Sequence, residues 1–359
     1  MTKINTAIIG FGFRAQGIVQ NLLSNGSFNI TKVCDKRKER LQAAKEQIGA
    51  GLQVTSDATD VFQDKEIAAV IVATPQFAHK ELAVRAFKAG KHVYCEKPLA
   101  LSAKECNEMI AAAKKAKKVF MVGQQMRYHA HLQKMASLLA DGQIGKPVMV
   151  WLREFRNPFP ETMAWAFDKK KSGGMLVEKS CHHFDVFNWF MNSKPVRVFA
   201  SGAADVFKKP FGIASNIADN AYVTIDYENG GRALLQLCMF MGLPFTYECG
   251  IGQHMREIGV AGSKGMMRTE GFDLKRNIEI LPNDSRNATR INIETRGNIP
   301  TAFNQEGNAG IYIDFADCIR KGKKPFADAE IGKMAVAVAC AAEKSMAEKR
   351  IVKIKEVMA

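Results

Sequence analysis

Over the first 123 residues, short apolar runs alternate with amphipathic stretches. The runs Thr6–Ile9, Asn29–Cys34, Ala68–Ala73, His92–Cys95 and Val119–Val122 have strand length and end at polar or turn-forming residues. Between them, Ala15–Ser24, Arg37–Gln47, Phe77–Ala89 and Ala103–Lys115 read as helices; in the third, Phe77, Leu82, Val84, Ala86 and Phe87 fall largely on one side. Strand–helix alternation of this kind predicts a doubly wound parallel sheet. After Gln124 the rhythm changes. A helix is expected at His131–Ala140, stopped by Asp141-Gly142. Strands are then expected at Pro147–Glu154, Val196–Gly202, Ala221–Glu228, Arg232–Met239, Tyr247–Ile251, Ile278–Leu281 and Ile291–Glu294. Glu228-Asn229-Gly230-Gly231 is a hairpin signal. Helices at Asn304–Lys321 and Asp328–Lys349 close the pattern. The expectation is an α/β first domain over residues 1–123 and an α+β second domain over 124–359. The second domain would carry a large, mostly antiparallel open sheet, with the closing helices free to pack back on the first domain.

Composition narrows the class. A chain of 359 residues exceeds what one core usually organises, which agrees with two domains. With 47% apolar and 24% charged residues, and only 28 glycines and 11 prolines, it is neither disordered nor collagen-like. No stretch reaches the roughly 18 apolar residues of a membrane span. Met1–Asn5 runs straight into the first strand without a charged-then-apolar leader, so secretion is not expected. None of the eight cysteines is in a C-x-x-C spacing, so no zinc site or disulfide framework is expected and a reducing cytoplasm fits. The net charge of +15 raises nucleic acid as a partner. The basic residues form no single block, however. Their densest run, Lys114-Lys115-Ala116-Lys117-Lys118, closes a helix, where cations suit the negative end of the helix dipole. Neither a nucleic-acid nor a membrane partner is therefore expected.

The first chemical signal is Gly10-Phe11-Gly12-Phe13-Arg14-Ala15, which follows the first strand and opens the first helix. It reads G-x-G-x-x-A. Gly10 permits the tight turn, Gly12 lets a pyrophosphate approach the backbone, and Ala15 lets helix and strand pack closely. The helix N-terminus then offers N–H groups to the phosphates. Asp35 ends the second strand, 23 residues beyond Gly12. A carboxylate there accepts from a ribose hydroxyl and repels a 2′-phosphate, which favours NAD. Lys36 and Arg37, directly after it, would offset that repulsion in part and leave NADP possible.

Three further stretches resemble the Gfo/Idh/MocA family, named for glucose-fructose oxidoreductase and inositol dehydrogenase. They are Ala73-Thr74-Pro75 with His79 beyond it, Tyr94-Cys95-Glu96-Lys97-Pro98-Leu99, and Gly173-Gly174 followed by Glu178, His182 and Asp185. The resemblance runs over essentially the whole chain. It implies hydride transfer between a nicotinamide cofactor and a sugar, polyol or related cyclic alcohol, and no metal. It places Gly10, Phe11, Gly12, Phe13, Arg14, Asp35, Lys36, Thr74, Pro75, His79, Glu96, Lys97, Gln125 and Trp165 against the cofactor. Lys97, Arg127, Glu178, Lys179, His182 and Asp185 would meet a carbohydrate-like substrate, with Lys97, His182 and Glu178 catalytic. Lys97 lies where ligands sit in a parallel sheet, and a lysine near a positive nicotinamide suits a base. A histidine suits proton transfer in either direction. The register selects His182, because His182-x-x-Asp185 fits the motif and His183 does not. Two features depart from the family pattern. Glu178 stands where the family commonly has aspartate, which argues against copying the substrate of inositol dehydrogenases. Lys179 is an additional cation that would favour an acidic sugar.

Two other readings stay open at this stage. One is a redox-neutral, NAD-retaining glycosidase or epimerase-type enzyme of the same family. The other is a non-catalytic NAD(P)-binding sensor. A homodimer or homotetramer is expected, because pairing an open sheet face between subunits would bury it.

Overall fold

The apolar runs near the N-terminus become one parallel sheet in the computed structural model, which describes residues 2–241, 254–270, 276–293 and 307–358. In chain order the elements are β1 (Ile4–Ile9), α1 (Phe13–Asn25), β2 (Phe28–Cys34), α2 (Lys38–Ile48), β3 (Gln53–Thr55) and α3 (Thr59–Gln63). They continue with β4 (Ala69–Val72), α4 (His79–Lys88), β5 (His92–Cys95), α5 (Ala103–Ala116) and β6 (Phe120–Val122). The sheet order is β3-β2-β1-β4-β5-β6, with every pairing parallel. This is the doubly wound order, and its strand sequence reverses between β1 and β4. Strand β4 is buried along its whole length, as a parallel strand covered on both faces must be. Helix α1 buries Ile18, Val19 and Leu22 and stops at Gly26, whose φ of +68° makes the left-handed cap. Ser102 caps α5 by accepting the Glu105 N–H.

The next elements are α6 (Ala130–Ala140), β7 (Pro147–Arg156), α7 (Lys169–Ser172), α8 (Met175–Glu178), α9 (Cys181–Met191), β8 (Pro195–Ala203), β9 (Asn220–Tyr227) and β10 (Arg232–Cys238). After them come β11 (His254–Gly262), β12 (Gly265–Glu270), β13 (Arg276–Pro282), β14 (Thr289–Ile293), α10 (Gly307–Lys321), α11 (Ala329–Glu348) and β15 (Val352–Lys353). The nine-stranded sheet has the order β14-β13-β12-β11-β7-β10-β9-β8-β15. Only β7 and β10 run parallel; β9 and β10 form the hairpin expected around Asn229-Gly230. The chain divides into two compact units. One comprises Met1–His129 with Asn298–Lys333, the other Ala130–Gly297 with Met334–Ala359. In the first unit, Ile311, Tyr312 and Phe315 of α10 join Ile8, Phe11, Ile18, Leu22 and Ile71 in one core.

Several local expectations change. The helix expected from Phe77 begins at His79, after a 3₁₀ turn at Gln76–Ala78 that starts beside Pro75. Strands β3, β11, β12 and β15 and helices α3 and α7–α9 were not expected as such. Helix α9 is buried nearly all round, so its sequence carries no polar stripe to mark it. Strand β11 contains Gly259, whose missing side chain leaves space that Trp151 fills, so no strand-like apolar run shows there. The expected strand Tyr247–Ile251 lies outside the described residues, as do Glu294 and residues 304–306 of two other expected elements.

Candidate active site

In the first compact unit, the expected cofactor-site residues lie on loops that leave the carboxyl ends of parallel strands. Gly10 follows β1 with φ of +89°, and a Cβ there would come within 2.8 Å of the Ala73 carbonyl oxygen, so glycine is required. Gly12 caps α1 without any side-chain cap, which leaves the helix N-terminus to a ligand. Ala15 is fully buried against the sheet. The Thr74 hydroxyl, directly after β4, is buried without a hydrogen-bond partner among the described residues. A glycine cradle, a bare helix N-terminus and an orphaned hydroxyl at the topological switch point together fit a dinucleotide.

Asp35 directly follows β2 and is almost fully buried. Its Oδ2 accepts the Phe11 N–H at 2.7 Å and its Oδ1 accepts the Arg37 N–H at 3.0 Å. The carboxylate therefore fixes the phosphate loop. Lys36 and Arg37 are exposed. The sequence pattern did not single out Arg40. Its guanidinium stands 3.3 Å from where a Gly12 Cβ would be, and its Nη1 is 3.4 Å from Asp35 Oδ2. Phe13 is exposed at the start of α1.

His79 is buried. Its Nδ1 lies 2.9 Å from the Pro98 carbonyl and its Nε2 2.9 Å from the Thr74 carbonyl. Burial lowers its pKa, against the upward pull of those two carbonyls. It thereby ties the turn after β4 and Pro75 to the turn carrying Lys97. Lys97 follows β5 and is half-buried. Beside it, the Glu96 carboxylate accepts the Arg14 Nε–H at 2.9 Å and the Tyr94 hydroxyl at 3.1 Å. Gly123, after β6, leaves room for that carboxylate: a Cβ there would be 2.9 Å from Glu96 Oε2. Arg14 also donates from Nη2 to Gln125 Oε1. Burial and the Glu96 charge push the Tyr94 hydroxyl pKa well up, so it stays a donor. Arg127 is buried, with its guanidinium 5.3 Å from the centre of the Phe326 ring.

The glycine-pair motif lies in the other compact unit. Gly173 and Gly174 both have positive φ, +77° and +104°. A Cβ on Gly174 would fall on the Glu343 carboxylate of α11. That carboxylate accepts the Leu176 N–H at 3.0 Å and pairs with Lys169 Nζ at 2.8 Å. Gly174 thus admits a buried acid that caps α8. Helices α8 and α9 are nearly continuous: the Ser180 N–H reaches the Leu176 carbonyl and the Phe184 N–H reaches the Ser180 carbonyl. Only Lys179 and Ser180 interrupt them, both in the right-handed helical region.

This geometry separates the two histidines. Lys179 and His183, four residues apart, both turn to the fully buried Glu154 of β7, at 3.0 Å and 2.6 Å. Arg256 of β11 reaches the same carboxylate at 3.1 Å. Burial alone would raise the Glu154 pKa; Arg256, Lys179 and His183 hold it well below the carboxylate range. Burial pushes His183 down to about 4, so it is neutral. Glu178 and His182 form the adjacent pair, one helical step (about 100°) earlier. Glu178, His182 and Asp185 are all buried. Trp165 is half-buried in the 3₁₀ segment Glu161–Phe167 that precedes the motif. Glu154, Arg256 and Glu343 carried no sequence signal, because their partners lie on distant segments.

A doubly wound sheet with this phosphate loop, an acid after β2 and a lysine after β5 defines a nicotinamide-dinucleotide oxidoreductase. Comparison with known proteins makes the class specific. Residues 4–124 match the oxidoreductase family's NAD-binding Rossmann fold, and residues 136–354 match its C-terminal alpha/beta domain. The chain belongs to the Gfo/Idh/MocA oxidoreductase family. It is 28% identical over 355 residues to myo-inositol 2-dehydrogenase of Thermotoga maritima, covering 98% of both chains. It is 27% identical over 356 residues to inositol 2-dehydrogenase/D-chiro-inositol 3-dehydrogenase of Lactiplantibacillus plantarum, covering 97% of this chain and 92% of that one. A solved putative myo-inositol dehydrogenase from Sinorhizobium meliloti superposes with a TM-score of 0.80 at 25% identity, over 98% of this chain and 100% of the other. The protein is an NAD-dependent oxidoreductase whose first domain binds the cofactor.

Proposed function

We propose that the protein oxidises a secondary alcohol of a polyol, sugar or related cyclic alcohol, with Lys97 as the base. The observation that carries this reading is the position of Lys97: it leaves the carboxyl end of β5 in the same sheet whose β1 end holds the Gly10–Gly12 cradle. NAD supplies the carbon that accepts the hydride. Lys97 holds the substrate hydroxyl and takes its proton as charge develops on oxygen. Glu178 and His182 grip neighbouring hydroxyls, and His182 serves as the second proton-transfer group. The relation of Lys179 and His183 to Glu154 supports this register, since it commits the neighbouring pair of side chains to the protein interior. Lys179 then acts through its Glu154 partner more than as a carboxylate receptor, so a neutral polyol fits better than a sugar acid.

NAD is the preferred cofactor, because the buried Asp35 carboxylate opposes a 2′-phosphate. Arg40 beside it gives NADP a lower but measurable activity. The functional unit is a homodimer or homotetramer built on the exposed face of the nine-stranded sheet. The test is a panel of inositols, sugars and sugar acids assayed for NADH formation. Turnover of inositols or other neutral polyols by wild type, lost in Lys97→Ala, supports the reading. Product release without net NADH would transfer it to the redox-neutral branch of the family.

A further inference from the structure

Arg14 is the second residue of α1, in the phosphate loop, yet its guanidinium is spent on protein groups. Its Nε–H meets Glu96 at 2.9 Å and its Nη2 meets the Gln125 side-chain oxygen. One side chain thus links the loops after β1, β5 and β6. Glu96 is itself held by the Tyr94 hydroxyl, and the Tyr94 ring packs 5.3 Å from Tyr312 of α10. The Gln125 contact has a further consequence. A guanidinium has only donors, so the Gln125 amide must turn its oxygen to Arg14. Its NH₂ group is then the end left for a ligand. Without Arg14 the amide could flip and present an acceptor instead.

We propose that Arg14 is a positioning residue: it braces the Lys97 strand end through Glu96 and sets the Gln125 amide as a donor toward the nicotinamide end of the cofactor. This rests on the reading of Lys97 as base. Arg14 acts through its partners, so its loss should misplace groups at the reacting centre while leaving the phosphate-loop backbone to bind the cofactor.

The test compares Arg14→Met, Arg14→Lys, Gln125→Glu and Gln125→Met. Titration by NADH fluorescence gives the dissociation constant, steady-state assays give kcat and KM, and thermal melts are run without cofactor. Arg14→Met should lower kcat about 10–100-fold, the scale of a small misplacement at the reacting centre. The NADH dissociation constant should change less than about threefold, because the backbone donors of the phosphate loop are untouched. Arg14→Lys should recover only part of kcat, because one ammonium cannot reproduce the fork that meets both partners. Gln125→Glu keeps an acceptor for Arg14 and should preserve the cofactor-free melting temperature while weakening NADH binding; Gln125→Met should lower both.

Unchanged kcat in Arg14→Met overturns the proposal. So does weakened NADH binding with normal turnover at saturation, which would make Arg14 a direct cofactor ligand. If Arg14→Met fails to fold, the two Gln125 variants decide: equal melting temperatures for Glu and Met overturn it. Lys97→Met separates this idea from its parent. Retained turnover there removes the base assignment, whereas a dead Lys97→Met beside a fully active Arg14→Met removes only the bracing role.

Discussion

Lys97 is where chemistry and position meet most closely. It stands half-buried after β5, beside a Glu96 carboxylate already engaged by Arg14 and Tyr94. A base that also holds the substrate oxygen strengthens its contact as charge builds, so its loss belongs in kcat more than in KM. Lys97→Ala should abolish most turnover with little change in NAD affinity. Lys97→Arg should rescue poorly, since a guanidinium stays protonated. Near-full turnover in Lys97→Arg would move the base to His182. Asp35 offers a second residue-scale test. Its carboxylate is bonded to the Phe11 and Arg37 N–H groups, so Asp35→Ser should shift the kcat/KM ratio towards NADP and also loosen the loop. Arg40→Ala should reduce NADP use more than NAD use. A wild-type enzyme that prefers NADP would refute the role given to Asp35.

At the scale of elements, the α8–α9 junction sets which histidine turns to Glu154. Lys179 and His183 point to Glu154, and the glycine pair lets Glu343 cap α8. His182→Ala should lower kcat by about 10²–10⁴-fold, the usual share of a positioned acid or base. His183→Ala should cost stability first, because it leaves the fully buried Glu154 one partner short. His183 also gives a pH signature. Its folded pKa of about 4 lies below the usual unfolded value near 6.5, so the unfolded chain takes the proton first. Its stabilisation is complete above about 6.5 and is lost as pH falls towards about 4, at about 1.4 kcal/mol per pH unit. Urea unfolding of wild type and His183→Gln across that window should show a shallower slope in the variant. An unchanged slope would mean that His183 is protonated in the folded protein.

At the scale of the whole molecule, one face of the nine-stranded sheet is exposed along β7, β8 and β9 among the described residues. Along β9, Ala221, Val223 and Ile225 point inward, while Tyr222 and Thr224 point out. Across the sheet, Phe199, Thr224, Leu234 and Trp151 fall in one row. Met149, Phe199 and Tyr222 are 52%, 44% and 59% exposed, an unusual apolar density for a surface meant to stay in water. Self-association through this face should put more than one chain in the particle measured by light scattering. Phe199→Glu with Tyr222→Glu should yield monomers that keep the fold by circular dichroism. A wild-type monomer at micromolar concentration would exclude the arrangement.

The sequence alone determined whatever depends on local pattern. Parallel strands buried on both faces must be continuous apolar runs, so β1, β2, β4, β5 and β6 were visible with their helices. The phosphate loop and Asp35 were legible because their chemistry demands set residue types at set spacings. The glycine pair and Lys97 were legible because their motifs resemble those of a known family. The short β3 and the all-round buried α9 were not legible, since neither carries a periodic pattern of its own. Tertiary structure alone placed Tyr312 of α10 against Tyr94, 218 positions apart in sequence. It alone brought Glu154, Arg256 and Glu343 to the α8–α9 motif, and Arg14 to Glu96 and Gln125. For the charged groups the physical reason is the same. A buried charge needs a partner wherever the fold can supply one, and sequence distance does not constrain which strand or helix supplies it.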